Sequence, residues 1–262
     1  MCRHIAYLGP ARTLADLLVD HDTALLRQSW APCDMRGGGT VNADGFGVGW
    51  YAAAAEPTRY RRSVPMWTDA NFASLATGIA SGAVLAAIRS ATVGMPVIET
   101  ACAPFTSGRW LFSHNGRVTG WPDSVAGLAA GLPVTDLLTM DAPTDSALLW
   151  ALLRHRLAAG TPPEEAVAGL VTEVAALAPG SRLNLLLTDG ETIVGTAWDH
   201  SLSVLAGVEE VVVASEPWDD DPRWQPVPDR HLVLATRYGV RVRDLSDTAP
   251  TSIETSQTGA SR

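Results

Sequence analysis

The sequence contains no lysine; all 19 of its basic residues are arginine. That absence removes the Walker A lysine, the Schiff-base lysine of pyridoxal phosphate chemistry and the Ser-Lys dyad. Positive charge is scarce as well. The 28 acidic residues leave a net charge of −9, and the arginines form no block, so no nucleic-acid partner is expected. Long apolar runs are missing: none approaches the roughly 18 residues of a membrane-spanning helix, and no membrane partner is expected. Arg3, His4, Arg12 and Asp16 interrupt the start of the chain, which therefore lacks the apolar stretch of a signal peptide. Cysteine is sparse. Cys2, Cys33 and Cys102 form neither a paired framework nor a Cys-x-x-Cys motif, which points to a reducing cytoplasm rather than a disulfide scaffold. The 6 histidines show no His-x-x-x-His spacing, so no metal or cofactor is expected. Asp219-Asp220-Asp221, between Pro217 and Pro222, reads as a solvated loop rather than a calcium site.

What is present is a chain of 262 residues, 47% hydrophobic, enough to bury a core. Arg3–Leu8 reads as a strand ended by Gly9-Pro10. Leu14, Leu17 and Leu18 suggest a short helix, and Gly37-Gly38-Gly39 a flexible loop. In Gly45–Tyr51 glycine alternates with large residues, the pattern of a strand closely approached on one face by other backbone. A helix is expected over Asn71–Ser81. Ala83–Ile88 reads as a central strand that delivers Arg89. Arg109–Phe112 reads as a strand ending in a turn at Ser113-His114-Asn115-Gly116. Two helices follow. One opens at Pro143-Thr144-Asp145 and ends at Gly160; the other has Thr161 as its cap and runs to about Ala178. Strands are then expected over Arg182–Thr188, Thr192–Trp198, Val208–Ala214, His231–Ala235 and Val240–Leu245. The order of strands, helices and strands predicts an α+β fold. It has two mostly antiparallel sheets with helices outside, in a single domain over residues 2–246. The Ser/Thr-rich segment 247–262 is expected to be a disordered tail.

Several residues carry chemical possibilities. Removal of Met1 would give Cys2 a free α-amine with a pKa of roughly 8 beside its thiol, a nucleophile and a base on one residue. The plain alternative is a strand cysteine with no role. Cys33 and Cys102 read as packing residues, and His4 as a core histidine. In His114-Asn115-Gly116, the Asn115 amide and the Gly116 N–H can converge on one oxygen as an oxyanion hole. An Asn-Gly pair alone is more simply a hairpin turn. Arg89, at the end of an apolar strand, calls for an anionic partner such as a carboxylate. Asp145, at a helix start, is either a cap or the holder of a ligand ammonium. Gly45, Gly47 and Gly49 lack the dinucleotide fingerprint. Of the 9 tryptophans, Trp50 and Trp198 read as strand packing. Trp30, Trp67, Trp121, Trp218 and Trp224 fall in expected loops with no pattern to bury them.

In chain order, several segments together resemble the class II glutamine amidotransferases, a family of N-terminal-nucleophile hydrolases. They are Met1-Cys2, Asn42 to Trp50, Ile88 to Thr92, Leu111 to Gly116, Thr144 to Ser146 and Ala214 to Pro217. The resemblance covers roughly residues 2–235 and implies a four-layer αββα fold. It implies Cys2 as nucleophile, Asn115 and Gly116 as oxyanion donors, and Arg89, Asp145 and Thr92 as binders of the glutamyl end. Within the family, the segments Met1 to Gly9 and Gln28 to Pro32 are similar to the amidohydrolases of ergothioneine biosynthesis, which remove glutamate from γ-glutamyl-hercynylcysteine S-oxide. That likeness implies a small-molecule γ-glutamyl substrate, with a loop tryptophan, Trp121 first, facing its trimethylammonium group. Ala87 departs from the histidine that related single-domain amidotransferases often carry two residues before the strand-end arginine. Three alternatives stay open: a glutaminase feeding ammonia to a partner synthase, a hydrolase of another γ-glutamyl conjugate, and a non-enzymatic amino-acid binder. A homo-oligomer is compatible with all of them.

Overall fold

The computed structural model describes residues 2–35, 41–52, 54 and 56–245; Met1, the Gly37-Gly38-Gly39 loop and the tail from residue 247 lie outside the described residues. The first half of the chain runs β1 (Arg3–Thr13), α1 (Leu14–Leu18), α2 (Leu25–Gln28), β2 (Phe46–Trp50), β3 (Thr58–Arg62), α3 (Ala70–Gly78), β4 (Ala80–Ile88), β5 (Phe105–Ser107) and β6 (Trp110–Arg117). Four helices follow: α4 (Ala126–Ala130), α5 (Val134–Leu138), α6 (Asp145–Ala158) and α7 (Pro163–Leu177). The chain ends in β7 (Arg182–Thr188), β8 (Thr192–Ala197), β9 (Ser203–Ala206), β10 (Val211–Ala214), β11 (Gln225–Pro226), β12 (His231–Thr236) and β13 (Gly239–Asp244).

Two antiparallel sheets carry the fold. One has the order β11-β9-β10-β1-β4-β2-β3 and the other β13-β12-β8-β7-β6-β5. Ala6, Leu8, Leu85, Leu111, Leu186 and Val213 meet in a core between the sheets. A second core packs α1 and α3 on the outer face of the first sheet through Leu14, Leu17, Leu18, Phe72 and Ile88. A third packs α6 and α7 on the outer face of the second through Leu149, Trp150, Leu170, Leu185 and Leu187. The result is the four-layer αββα arrangement. Glycine permits the two sheets to approach closely at β2. A Cβ on Gly47 would come within 2.3 Å of the Ala103 carbonyl oxygen, and one on Gly49 within 2.7 Å of Leu111.

Some boundaries differ from the sequence reading. Gly9-Pro10 does not end β1. The register against β4 shifts between Leu8 and Arg12, and this irregularity accommodates the missing proline N–H while the strand continues to Thr13. Ser113-His114-Asn115-Gly116 is not a turn but the far half of β6, paired with β7 from Leu111↔Thr188 to Arg117↔Arg182. Gly116 is required there by close approach, since a Cβ would lie 1.8 Å from the Arg182 carbonyl oxygen. Helix α3 stops at Gly78, so Ala80 and Ser81 already belong to β4. Helix α7 has Pro162, not Thr161, at its cap position, with Pro163 opening the helix. Among the described residues no helix is long and apolar enough to cross a membrane.

Candidate active site

Strand β4 lies between β1 and β2, and the pair Arg3↔Ile88 is the last before the two chain segments diverge. Continuing that register puts Cys2 beside Arg89. Both line a tight cleft of about 20 Å³, with Ala87, His114 and Ser146 among its walls. The Cys2 thiol is half-buried, with Sγ 3.6 Å from the Ser90 carbonyl oxygen. The Asn42-Ala43-Asp44-Gly45 segment fixes the other strand end. Asp44 N donates to Arg89 O at 3.0 Å, Arg89 N to Gly45 O at 2.7 Å, and Ala91 N to Asp44 Oδ2 at 2.7 Å. Gly45 takes φ +129°, a conformation that side chains disfavour. The Arg89 guanidinium donates to Pro96 O at 2.8 Å and has no other hydrogen bond among the described residues. Ala87 of β4 is paired with His4 of β1.

Asn115 and Gly116 line neither this cleft nor the neighbouring cavity. The Asn115 Nδ2 donates to Ser215 Oγ at 3.0 Å, and its Oδ1 is buried with no hydrogen-bond partner. Strand β5 pairs with β6 only as far as Phe112, so residues 113–117 have β7 as their one strand partner among the described residues.

Asp145 and Thr92 share a separate cavity of about 260 Å³ with Arg117, Val118 and Trp121. Asp145 is not the helix cap: Thr144 is, accepting from Ala147 N at 3.2 Å. The buried Asp145 carboxylate instead accepts Val118 N at 2.9 Å and Ser146 N at 2.8 Å. A carboxylate so anchored presents a fixed negative edge to a ligand cation. Ser146 also links the two cavities. Its Oγ lies 2.9 Å from His114 Nδ1, while His114 Nε2–H donates to Arg182 O at 2.9 Å. Burial is the main force lowering the His114 pKa, so the ring is a neutral positioner rather than a cation. Burial likewise puts His4 well below its ordinary value, followed by the charges of His114, His200 and Arg3; its Nδ1 sits 3.1 Å from Ser113 Oγ.

The Ala214-Ser215-Glu216 segment locks the first strand. Ser215 Oγ accepts His4 N at 3.0 Å, and the buried Glu216 pairs with the buried Arg3 at 2.6 Å. Arg3 also donates to the carbonyls of Cys2, at 3.0 Å, and Asp34, while Glu216 Oε2 accepts Cys33 N at 2.6 Å. One ion pair therefore ties the nucleophile's own peptide group to the 31–35 loop. His114, Ser146 and Ser215 are site residues that sequence reasoning gave no role. All three stood inside the motifs that carried the family resemblance, and that adjacency was the only available signal.

The tryptophans divide. Trp218 is buried, against expectation, stacked on His21 at 5.0 Å and edge-on to Trp224. Asp219 binds both of their indole N–H groups, so this acid is a structural acceptor rather than part of a solvated run. Trp30 and Trp67 are exposed and meet edge to face at 5.7 Å. Trp121 is the loop tryptophan that shares a cavity with expected site residues.

Comparison with known proteins places the chain in a family. The family described as glutamine amidotransferases class-II matches residues 17–209. A gamma-glutamyl-hercynylcysteine sulfoxide hydrolase of Mycolicibacterium smegmatis is 44% identical, over 89% of this chain and 95% of its own. Its namesake in Mycobacterium tuberculosis is 41% identical, over 94% and 97%. Among solved structures, a class-II glutamine aminotransferase domain protein from Silicibacter pomeroyi superposes with a TM-score of 0.67. It is 24% identical and covers 94% of this chain and 100% of its own, a likeness of fold. With the family matched over residues 17–209, most of its length, the chain belongs to the class II glutamine amidotransferases.

Proposed function

We propose that this protein is a cysteine-dependent amidohydrolase that releases glutamate from a γ-glutamyl amide, with γ-glutamyl-hercynylcysteine S-oxide as its substrate. The observation that carries the reading is the position of Cys2, beside Arg89 at the head of a cleft. Relatives named for this activity are 41% and 44% identical over most of the chain. Residues 2–246 work as one domain. The protein acts in a reducing cytoplasm, in keeping with its three free cysteines.

The reaction is covalent. With Met1 removed, the Cys2 thiol passes its proton to its own α-amine, and the thiolate attacks the γ-carbonyl carbon. The Asn115 amide and the Gly116 N–H hold the oxyanion. When the tetrahedral intermediate collapses, the C–N bond breaks and the α-ammonium returns the proton to the departing amine. Water then adds to the glutamyl thioester, giving up a proton to the α-amine. The C–S bond breaks, and glutamate and the Cys2 thiol are regenerated. Arg89 grips the glutamyl α-carboxylate and Asp145 the α-ammonium, with Thr92 beside them. The test is glutamate release from γ-glutamyl-hercynylcysteine S-oxide, L-glutamine and simpler γ-glutamyl amides. The first is expected to have the highest kcat/KM. Faster turnover of L-glutamine would assign the chain to ammonia supply.

A further inference from the structure

We infer that Arg3 is a positioning residue for the nucleophile: held by Glu216, its guanidinium fixes the carbonyl of Cys2 and favours the neutral form of the α-amine on the same residue. This role rests on the reading of Cys2 as a processed N-terminal nucleophile and deepens it.

Arg3 acts through the backbone. Successive residues of a strand point to opposite faces. His4 meets Ser113 of the second sheet, so it stands on the inner face of the first, and the same alternation puts Cys2 there with it. Ile5 and Tyr7 pack in the outer core, and Arg3 shares their face. Arg3 is not a wall of the nucleophile's cleft. Yet it is wholly buried, and its donors go to three chain segments. Nε donates to Glu216 Oε1 at 2.6 Å, Nη1 to the Cys2 carbonyl oxygen at 3.0 Å, and Nη2 to the carbonyl of Asp34. Glu216 is buried too, and its Oε2 accepts Cys33 N at 2.6 Å and Asp34 N at 3.1 Å. A buried ion pair is a poor source of stability, because desolvation of both charges offsets their attraction. What this one supplies is a cation fixed on the nucleophile's own peptide group.

In the processed chain one carbon bears both the α-amine and the carbonyl of Cys2. The amine can take the thiol proton only while it is itself neutral. A nearby cation disfavours a second positive charge, and a guanidinium keeps its own charge at any working pH. Glu216 meets Arg3 at Nε rather than at Nη1, the nitrogen on Cys2, so it offsets the cation there only in part. The other groups around Cys2 do not depend on the pair. Arg89 shares its cleft. His4 and His114 are kept neutral, chiefly by burial. Burial keeps the Cys102 thiol protonated, and Arg182 stands on the second sheet. His200 Nε2, 3.5 Å from Arg3 Nη1, is the titratable neighbour that Arg3 touches besides Glu216. Substitutions at 3 and 216 therefore isolate the contribution of the pair.

The absence of lysine makes the test specific, because the α-amine of residue 2 is the only primary amine of the processed chain. Cys2→Ala removes the thiol, keeps a small residue that permits Met1 removal, and leaves the carbonyl for Arg3. In that protein, acetylation by acetic anhydride, read by mass mapping of the N-terminal peptide, follows the neutral amine as the pH is varied. Arg3→Met with Glu216→Gln replaces the ion pair by uncharged side chains and leaves no unmatched buried charge. It should raise the half-reaction pH by roughly half a unit to one unit, and Arg3→Lys, which keeps the charge, should bring it back toward the parent value. In enzyme that retains Cys2, the uncharged pair should lower kcat at pH 7 by roughly three- to tenfold. KM should stay within about twofold, and activity should recover as the pH is raised. An unmoved half-reaction pH, or a loss of kcat that higher pH does not restore, overturns the role and leaves Arg3 and Glu216 as backbone ties. One comparison needs no variant at these positions: folded Cys2→Ala protein should half-react at a lower pH than the same protein unfolded in urea, and an equal or higher value also overturns it. Acetylation uses no substrate, so its outcome is separate from glutamate release: an enzyme that cleaves no γ-glutamyl compound fails the hydrolytic reading alone. Met1 retained in the intact mass would reject both.

Discussion

The Ser215 hydroxyl joins the two sheets by accepting from the backbone of His4 and from the side chain of Asn115, each at 3.0 Å. This leaves the hydroxyl proton without use and the Asn115 Oδ1 buried and unpaired. Turning the amide over satisfies both: Ser215 O–H donates to Oδ1, and Nδ2 is freed for an oxyanion. Asn115→Ala should therefore lower kcat by roughly 10²–10³ while KM changes little. Ser215→Ala, which releases the amide without removing it, should lower kcat by about tenfold, the size of one ordinary hydrogen bond. Steady-state kinetics distinguish the two. A change confined to KM would make Asn115 a packing residue of β6.

The three thiols should behave differently. Cys102 is buried, with Sγ 3.4 Å from the Arg62 carbonyl, and burial pushes its pKa up to about 11. Its thiolate is negligible near neutrality. Cys33 is exposed and Cys2 half-buried. Iodoacetamide should spare Cys102, and loss of activity should follow labelling of Cys2 alone. Cys2→Ala should abolish turnover and keep substrate binding, whereas Cys33→Ala and Cys102→Ala remain active. Intact mass should show Met1 absent from active enzyme; fully active protein that retains Met1 would break the link between the thiol and its own amine.

Arg89 and Asp145 line different cavities, and Ser146, a wall of the first, donates its backbone N–H to Asp145 at 2.8 Å. The α-carboxylate and α-ammonium they are proposed to hold are borne by one carbon, so both residues have to reach the same end of the glutamyl group. Removing one side of a charge-assisted pair costs roughly 2–5 kcal/mol, so Arg89→Ala or Asp145→Ala should each lower kcat/KM by about two orders of magnitude or more. Near-normal kinetics in either variant would remove that residue from the glutamyl grip.

Much of this site is legible in the sequence because its motifs are local. Ile88-Arg89 is a strand end, and the Asn42 to Gly45 segment that clamps it is contiguous. Other features depend on register between distant strands. Whether Asn115-Gly116 turns or continues depends on β7, more than sixty residues later. The carbonyl of Arg182 that makes glycine necessary at 116 leaves no trace near 116 itself. The same is true of Gly9-Pro10: the local breaker interrupts the ladder with β4 after Leu8, but pairing resumes at Arg12 and the strand continues. The ion pair of Arg3 and Glu216 joins positions 213 residues apart, so no reading of either segment alone could find it.

His4 and His114 make stability depend on pH. Both are lowered below 6.5, chiefly by burial, and stay neutral in the folded protein. The unfolded chain binds protons at those positions as the pH drops through about 6.5. The stabilisation is therefore complete above that value and is lost as the pH falls toward the folded pKa values. Each unit of depression corresponds to about 1.4 kcal/mol per histidine. Urea unfolding at pH 7.5 and 5.5 should show lower stability at the acid end, and His4→Gln should reduce the slope. Equal stability at both values would mean that neither ring is held neutral.

Trp121 shares its cavity with Arg117 and Asp145, so one wall carries a cation, an anion and an aromatic face. Hercynine carries a permanent trimethylammonium group that cannot donate a hydrogen bond, and it can be recognised only by aromatic faces or nearby carboxylates. The indole is the ring that best attracts such a group. Trp30 and Trp67, though exposed, face each other and take Arg27 against Trp30 at 5.5 Å, while Trp218 is already stacked on His21. Trp121→Leu should therefore lower kcat/KM on the betaine substrate by several-fold to about thirtyfold, the range of a cation–π contact of ~0.5–2 kcal/mol. The loss should vanish on an analogue in which the trimethylammonium is replaced by an uncharged group. Equal losses on both substrates would show that the ring supports the fold or the glutamyl ammonium instead.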